Sequence, residues 1–163
     1  MKIRFLLIYN KAWWALLSPI IRWVEGTKFS HCALELNGIV FESTWPVSRA
    51  ISVDHYFTHY KLVRVVELDI PQGKLNESSK IISSTLGKKY SFAQLVWILI
   101  DKISHKFCIN MHLKYNLNSR LICSELMAMY LQNVFDVKFT KPLDLVGLVD
   151  ITEALNELEK RQI

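Results

Sequence analysis

Apolar and polar positions change period several times along this chain, and each change marks an element. Ile3 to Tyr9 is an almost unbroken apolar run, the pattern of a strand buried on both faces. Ala12 to Val24 is apolar at helical spacing, with Pro19 placed to kink or divide the helix. Phe29–Leu36 and Ile39–Ser43 are two β-runs joined by Asn37-Gly38, the strongest short hairpin signal. Leu62 to Leu68 is a third, valine-rich β-run, closed by the turn Pro71-Gln72-Gly73. Asn76 is placed to cap a helix ending near Gly87. Ser91 and Gln94 form a capping box, with Tyr90 and Leu95 spaced as a hydrophobic staple, ahead of an apolar helix reaching about His105. Residues 107 to 120 are polar and read as a loop. Cys123 to Phe135 is a helix with Leu126, Met127, Tyr130, Leu131 and Val134 on one face. Val137 to Thr140 alternates as a short strand does. Asp150 and Glu153 form a second capping box before a charged final helix. Strands early and helices late predict an α+β domain, a small antiparallel sheet packed against helices.

The hairpin register sorts the residues that carry chemistry. A two-residue turn pairs Leu36 with Ile39 and Leu34 with Phe41. Side chains alternate, so His31, Ala33, Glu35 and Glu42 share a face. His31 and Glu42 are diagonal neighbours, within reach of each other. Glu35 lies four residues further along and is too far. A carboxylate on one imidazole nitrogen fixes the tautomer and stabilises the cation formed when the other nitrogen takes a proton. Glu42 taken alone reads equally well as a solvated charge at a strand end.

Of three cysteines, only Cys123 opens a helix, where free N–H groups and the dipole stabilise a thiolate. The same N–H groups suit a tetrahedral oxyanion, and Ser124 in that first turn leaves the donors accessible. Cys32 points away from His31 and belongs to the core. Cys108 lies in the polar loop. Cys123, His31 and Glu42 therefore supply nucleophile, base and orienting group for covalent thiol catalysis.

Composition narrows the class. At 163 residues the chain suits a single domain, 1–163, able to bury its own core. Hydrophobic residues make up 51% and charged residues 21%, which excludes a disordered chain. Three cysteines form no disulfide framework and point to a reducing compartment. Net charge is +5, but the basic residues are scattered, so weak attraction to anionic surfaces is expected rather than nucleic-acid binding. Asn10 and Lys11 interrupt the first apolar run, and no cleavage site follows, so no signal peptide is expected. Trp13–Val24 and Phe92–Ile100 are too short to span a bilayer, which predicts a soluble, cytoplasmic protein with peripheral membrane contact left open.

His55-x-x-x-His59 and Cys108-x-x-x-His112 have spacings compatible with zinc, but neither sits in a recognisable finger. They are read as loop residues, and neither metal nor cofactor is expected. Trp13, Trp14 and Trp23 read as a helix packed on the sheet or as a rim for an acyl chain.

With these residues in place, the chain resembles the circularly permuted papain-like hydrolases of the NlpC/P60 superfamily. The likeness is closest to the YiiX-like branch, with the lecithin–retinol acyltransferase group as a cousin. Phe29-Ser30-His31 running to Glu42 resembles the histidine hairpin. Gly87-Lys88-Lys89-Tyr90-Ser91 resembles the glycine-to-tyrosine segment before a helix. Ile122-Cys123-Ser124-Glu125-Leu126 resembles the nucleophile motif, and Pro142-Leu143-Asp144-Leu145 the segment after it. Tyr9-Asn10 departs from the Gly-Asp turn common in relatives. The resemblance implies a permuted NlpC/P60 fold, the Cys123, His31 and Glu42 triad in permuted order, and a supporting role for Tyr90. It implies a peptidase or amidase that passes through an acyl-enzyme, with cell-wall peptides or peptidoglycan fragments as first substrate class. Peptidoglycan lies outside the cytoplasm, so that substrate requires release by a route other than a signal peptide. Two alternatives stay open: a thiol acyltransferase or lipase on lipid or thioester acyl groups, and a non-catalytic module binding a peptide or lipid.

Overall fold

The computed structural model describes residues 1–10, 17–106 and 120–162. The chain is α+β, built on one five-stranded antiparallel sheet. Its strands are β1 (Lys2–Asn10), β2 (His31–Leu36), β3 (Ile39–Glu42), β4 (Arg49–Ser52) and β5 (Tyr60–Asp69), in spatial order β4-β3-β2-β1-β5. The helices are α1 (Leu17–Glu25), α2 (Val53–His59), α3 (Leu75–Thr85), α4 (Phe92–Lys106), α5 (Cys123–Phe135) and α6 (Leu148–Gln162). Two short strands, β6 (Lys89–Tyr90) and β7 (Arg120–Leu121), pair in parallel apart from the main sheet.

Alternation along the strands divides the interior into two layers. Phe5, Leu7, Cys32, Leu34 and Val66 face the larger core, where Met127, Tyr130, Leu131 and Val134 of α5 meet them. Leu6, Ile8, Ala33 and Val40 face the other way, against Tyr56 of α2 and Tyr60. β1 is apolar on both sides because it is covered on both sides. The apolar stripe expected on α5 is buried throughout. Each such side chain contributes about 1.5–3 kcal/mol on leaving water.

The hairpin forms in the expected register, with Leu36 opposite Ile39 and Leu34 opposite Phe41. Its turn holds Asn37 at φ 51° and Gly38 at φ 81°, a conformation few residues but asparagine and glycine accept. Glu35 is spent there: it accepts from the Gly38 N–H at 2.8 Å and pairs with Arg4 of β1.

Several expectations are corrected. Pro19 does not divide the described span of α1, which runs unbroken from Leu17 to Glu25. The earlier part of that predicted helix, with Trp13 and Trp14, lies outside the described residues. Asn76 is inside α3, and Lys74 precedes that helix without a side-chain cap. Ser91 Oγ does accept from the Gln94 N–H at 3.4 Å, but the Gln94 amide turns away to Glu125 and the Asp144 carbonyl. Val137–Thr140 forms no strand. Val137 and Phe139 pack on the core without a ladder partner, and a 3-10 turn follows at Leu143–Leu145. α6 begins at Leu148, so Asp150 does not precede it but lies in its first turn, and it accepts from the Gly147 N–H at 2.8 Å. His55 and His59 are helical rather than loop residues, with rings 5.2 Å apart. Cys108 and His112 lie outside the described residues, as does the predicted loop up to residue 119.

One buried ion pair ties the helices together. Glu25 at the end of α1 accepts from Lys102 of α4 at 2.6 Å and from the Val149 N–H at the start of α6 at 3.4 Å. Gly147 lies directly under it: a Cβ there would sit 2.2 Å from Lys102 Nζ and 2.8 Å from both carboxylate oxygens. Gly147→Ala is expected to destabilise the fold by about 1–3 kcal/mol, as overpacking does. Urea denaturation checks this, and an unchanged midpoint would show that the pair moves aside freely.

Candidate active site

The site forms where β2 begins, β3 ends and α5 begins. His31 is the first residue of β2, Glu42 the last of β3 and Cys123 the first of α5. Helix α5 packs on the far face of the sheet from His31, yet its N-terminus reaches the strand ends, so the thiol meets the imidazole around the end of β2. Two hydrogen bonds set that position. Ser43 Oγ, one residue beyond Glu42, donates to the Leu121 carbonyl at 2.9 Å. The Ser91 N–H donates to the same carbonyl at 3.2 Å. Two residues later the chain turns into α5.

His31 Nε2 lies 2.9 Å from a Glu42 carboxylate oxygen. The ionised carboxylate only accepts, so Nε2 carries the proton, and Nδ1 is the nitrogen left to exchange a proton with Cys123. The other Glu42 oxygen takes a two-pronged bond from Arg49, at 2.8 Å from Nε and 2.7 Å from Nη2. Arg49 stands opposite Glu42 in the β3–β4 pairing. Tyr60 stacks on the His31 ring, centroids 5.6 Å apart and planes 19° apart. The imidazole is thus held edge-on by Glu42 and face-on by Tyr60.

Electrostatics follow from these contacts. Burial opposes a charge on His31, but the Cys123 thiolate and the Glu42 hydrogen bond outweigh it and hold the imidazolium well above its ordinary range. The Cys123 thiol is drawn well below its ordinary value. A hydrogen bond from the Cys32 thiol is the largest cause; the His31 charge and the Cys32 backbone N–H add to it and overcome burial. Burial would raise the Glu42 pKa, yet His31 and Arg49 together bring it below the ordinary carboxylate value. The favoured state is a thiolate–imidazolium pair backed by an ionised carboxylate.

The first intrahelical bond of α5 runs from the Leu126 N–H to the Ile122 carbonyl at 3.1 Å. The N–H groups of Cys123, Ser124 and Glu125 precede it and have no i−4 carbonyl, the arrangement that receives an oxyanion. Ser124 itself is buried. Tyr90 pairs with Leu121 across β6 and β7 and lies near Cys123. Burial, then the charge on Cys123, pushes its phenol well above the ordinary value, which keeps it a neutral donor.

All of the predicted site residues are therefore brought together. Sequence reasoning missed three others. Arg49 lay in a stretch not recognised as a strand, and its signal was a lone cation one short connection after Glu42. Tyr60, the first residue of β5, lay outside the predicted Leu62–Leu68 run and gave no signal. Cys32 does belong to the core as expected, but it is also the largest cause of the lowered Cys123 pKa. Among the described residues no three His, Cys, Asp or Glu side chains converge as a metal site would require.

An open cleft of about 200 Å³ adjoins His31. Its lining mixes hydroxyls, from Ser18, Ser30, Thr44, Tyr60 and Tyr90, with apolar side chains, Leu17, Ile21, Trp45, Phe92 and Leu95. No protein-family model and no curated protein matches this chain.

Proposed function

We propose that the protein is a cysteine hydrolase that cleaves an amide through an acyl-enzyme, with Cys123 as nucleophile, His31 as acid–base and Glu42 as orienting group. One observation carries this reading: the imidazole that Glu42 holds at 2.9 Å is electrostatically coupled to Cys123, and that cysteine opens a helix whose first-turn N–H groups have no intrahelical acceptor. The chain order of histidine, glutamate, cysteine and the packing of the cysteine helix on an antiparallel sheet support a circularly permuted papain-like, NlpC/P60-type domain.

The chemistry follows from the geometry. The Cys123 thiolate attacks the carbonyl carbon, and the resulting oxyanion is held by first-turn N–H groups of α5. The His31 imidazolium gives its proton to the leaving nitrogen, and the carbon–nitrogen bond breaks to leave a thioester on Cys123. His31, now neutral, takes a proton from water, whose oxygen attacks the thioester and releases the acid and the thiolate.

Cell-wall peptides are one substrate class for this chemistry. The apolar side chains in the cleft lining favour a second reading, in which the acyl group comes from a lipid or thioester and is passed to water or another acceptor. Both readings are tested by incubating the protein with peptide amides and with fatty N-acyl amides, quenching in acid and weighing the intact chain. One acyl adduct is expected, mapped to Cys123 and absent in Cys123→Ala. Preference for fatty donors would favour the lipid reading. No adduct with any donor, or an adduct on Cys32, would overturn both and leave a binding module.

A further inference from the structure

The edge of the cleft is more apolar and more basic than catalysis needs. Trp45 is 74% exposed and Phe92 51% exposed, though both line the cleft. Beside them lie exposed Val47 and Leu86. The backbone makes these neighbours: the Tyr90 N–H bonds the Pro46 carbonyl at 3.0 Å, and Ser48 exchanges bonds with Lys88 and Gly87 at 2.8 and 2.9 Å. Val47 bridges Lys89, and Lys89 stands directly opposite Arg120 across β6 and β7. Val47, Lys89 and Arg120 thus form a row across a small ribbon.

Two like charges in register repel, so an anion outside the chain that meets both relieves that repulsion. Both side chains are exposed, as is Lys28, two residues before the cleft-lining Ser30. Among the described residues, no ion pair engages any of the three. Lys88 differs, since it acts on Glu125. The segments around the cleft, residues 17–31, 43–49, 86–92 and 120–123, contain one carboxylate, Glu25, and it is buried against Lys102. Acidic residues gather elsewhere: α6 alone carries Asp150, Glu153, Glu157 and Glu159.

We propose that the face bearing Trp45, Val47, Phe92, Lys89 and Arg120 docks on an anionic phospholipid bilayer, with the cleft mouth against the headgroups. Exposed tryptophan and phenylalanine sit favourably at headgroup depth, while adjacent Lys and Arg meet the negative surface. No helix among the described residues is long and apolar enough to cross a membrane, so the contact is peripheral. A nucleic-acid strand fits less well, because the cleft lining contains no Lys or Arg for a phosphate backbone to follow.

The experiment is vesicle flotation of Cys123→Ala protein. Vesicles of phosphatidylcholine alone are compared with vesicles holding one third phosphatidylglycerol, at low and high salt. Binding to the anionic vesicles is expected, with little to the neutral ones and a decline in salt. Lys89→Glu with Arg120→Glu, both at exposed positions, is expected to weaken partition at least tenfold, from about fivefold per cation near the surface. Trp45→Ser is expected to weaken it independently. Equal binding to both vesicle types, no effect of the charge reversal, or tighter binding to a single-stranded oligonucleotide would overturn the proposal. Docking requires no acyl chemistry, so it stands or falls separately from acyl capture on Cys123.

Discussion

Cys123→Ala is expected to abolish turnover, and His31→Ala to reduce it by roughly 10⁴-fold, the scale seen when a nucleophile–base unit is broken. The two variants differ in what remains. Without Cys123 there is no thiol to attack. Without His31 the thiol persists, but it loses the imidazolium charge and hydrogen bond that help draw its pKa down. The Cys32 contacts remain, so the thiol returns part of the way toward its ordinary value. The rate of alkylation by iodoacetamide against pH reads this directly. The wild-type curve is expected to rise at a pH well below that of an ordinary thiol, and the His31→Ala curve to move upward. Turnover should be bell-shaped. The acid limb marks loss of the depressed Cys123 thiolate, and the alkaline limb marks loss of the His31 proton at its raised value. An alkylation curve unmoved by His31→Ala would show that the two groups do not act as a pair.

Glu42→Gln is expected to cost both activity and stability. The side chain of Glu42 is fully buried, with His31 on one oxygen and Arg49 on the other. Glutamine keeps the shape but not the charge, so the imidazolium loses its counter-ion and its fixed orientation. Turnover should fall on the order of 10²–10⁴-fold, as when a buried orienting carboxylate becomes an amide. Losing one member of a buried pair costs about 3–5 kcal/mol. Arg49 is 43% exposed and can rehydrate, which brings the expected loss to about 2–3 kcal/mol. The pH dependence has a definite sign. The Glu42 pKa is lowered on folding, so its contribution is present above the ordinary carboxylate value and fades as pH falls through the depressed one. Urea denaturation at neutral and strongly acid pH should therefore show a gap between wild type and variant that closes in acid. A gap of constant size would place the effect in packing instead.

The proposed triad was legible in the sequence because each member had a local, strong signal. Asn37-Gly38 fixes a register, and a register fixes which carboxylate His31 meets. The α5 stripe is long enough to fix its own start, and its start is Cys123. The outer part of the site had no such signal. β4 is an edge strand with little burial, so Arg49–Ser52 shows no alternation, and α2 buries only Tyr56. β6 and β7 are two residues each, and their pairing depends on where α4 and α5 bring their ends. The Val137–Thr140 miss has the opposite cause. Its alternation is real, since Val137 and Phe139 do pack inward, but alternation alone makes no ladder without an adjacent strand. Cys32 shows the limit of face assignment. The period of two placed it away from His31 correctly and said nothing about a helix arriving on the far side.

The Leu121 carbonyl that receives both Ser43 and Ser91 has a kinetic meaning. The Ser43 bond closes a span of 78 residues, against 11 for the His31–Glu42 bond. Contacts of such different sequence separation differ in loop-closure entropy, and the long one forms only once much of the chain is ordered. A chain with its hairpin made and α5 undocked holds all three triad residues, yet its cysteine is an ordinary thiol. The lowered Cys123 pKa therefore belongs to the assembled fold, since Cys32 and His31 act on that sulfur only once α5 is docked.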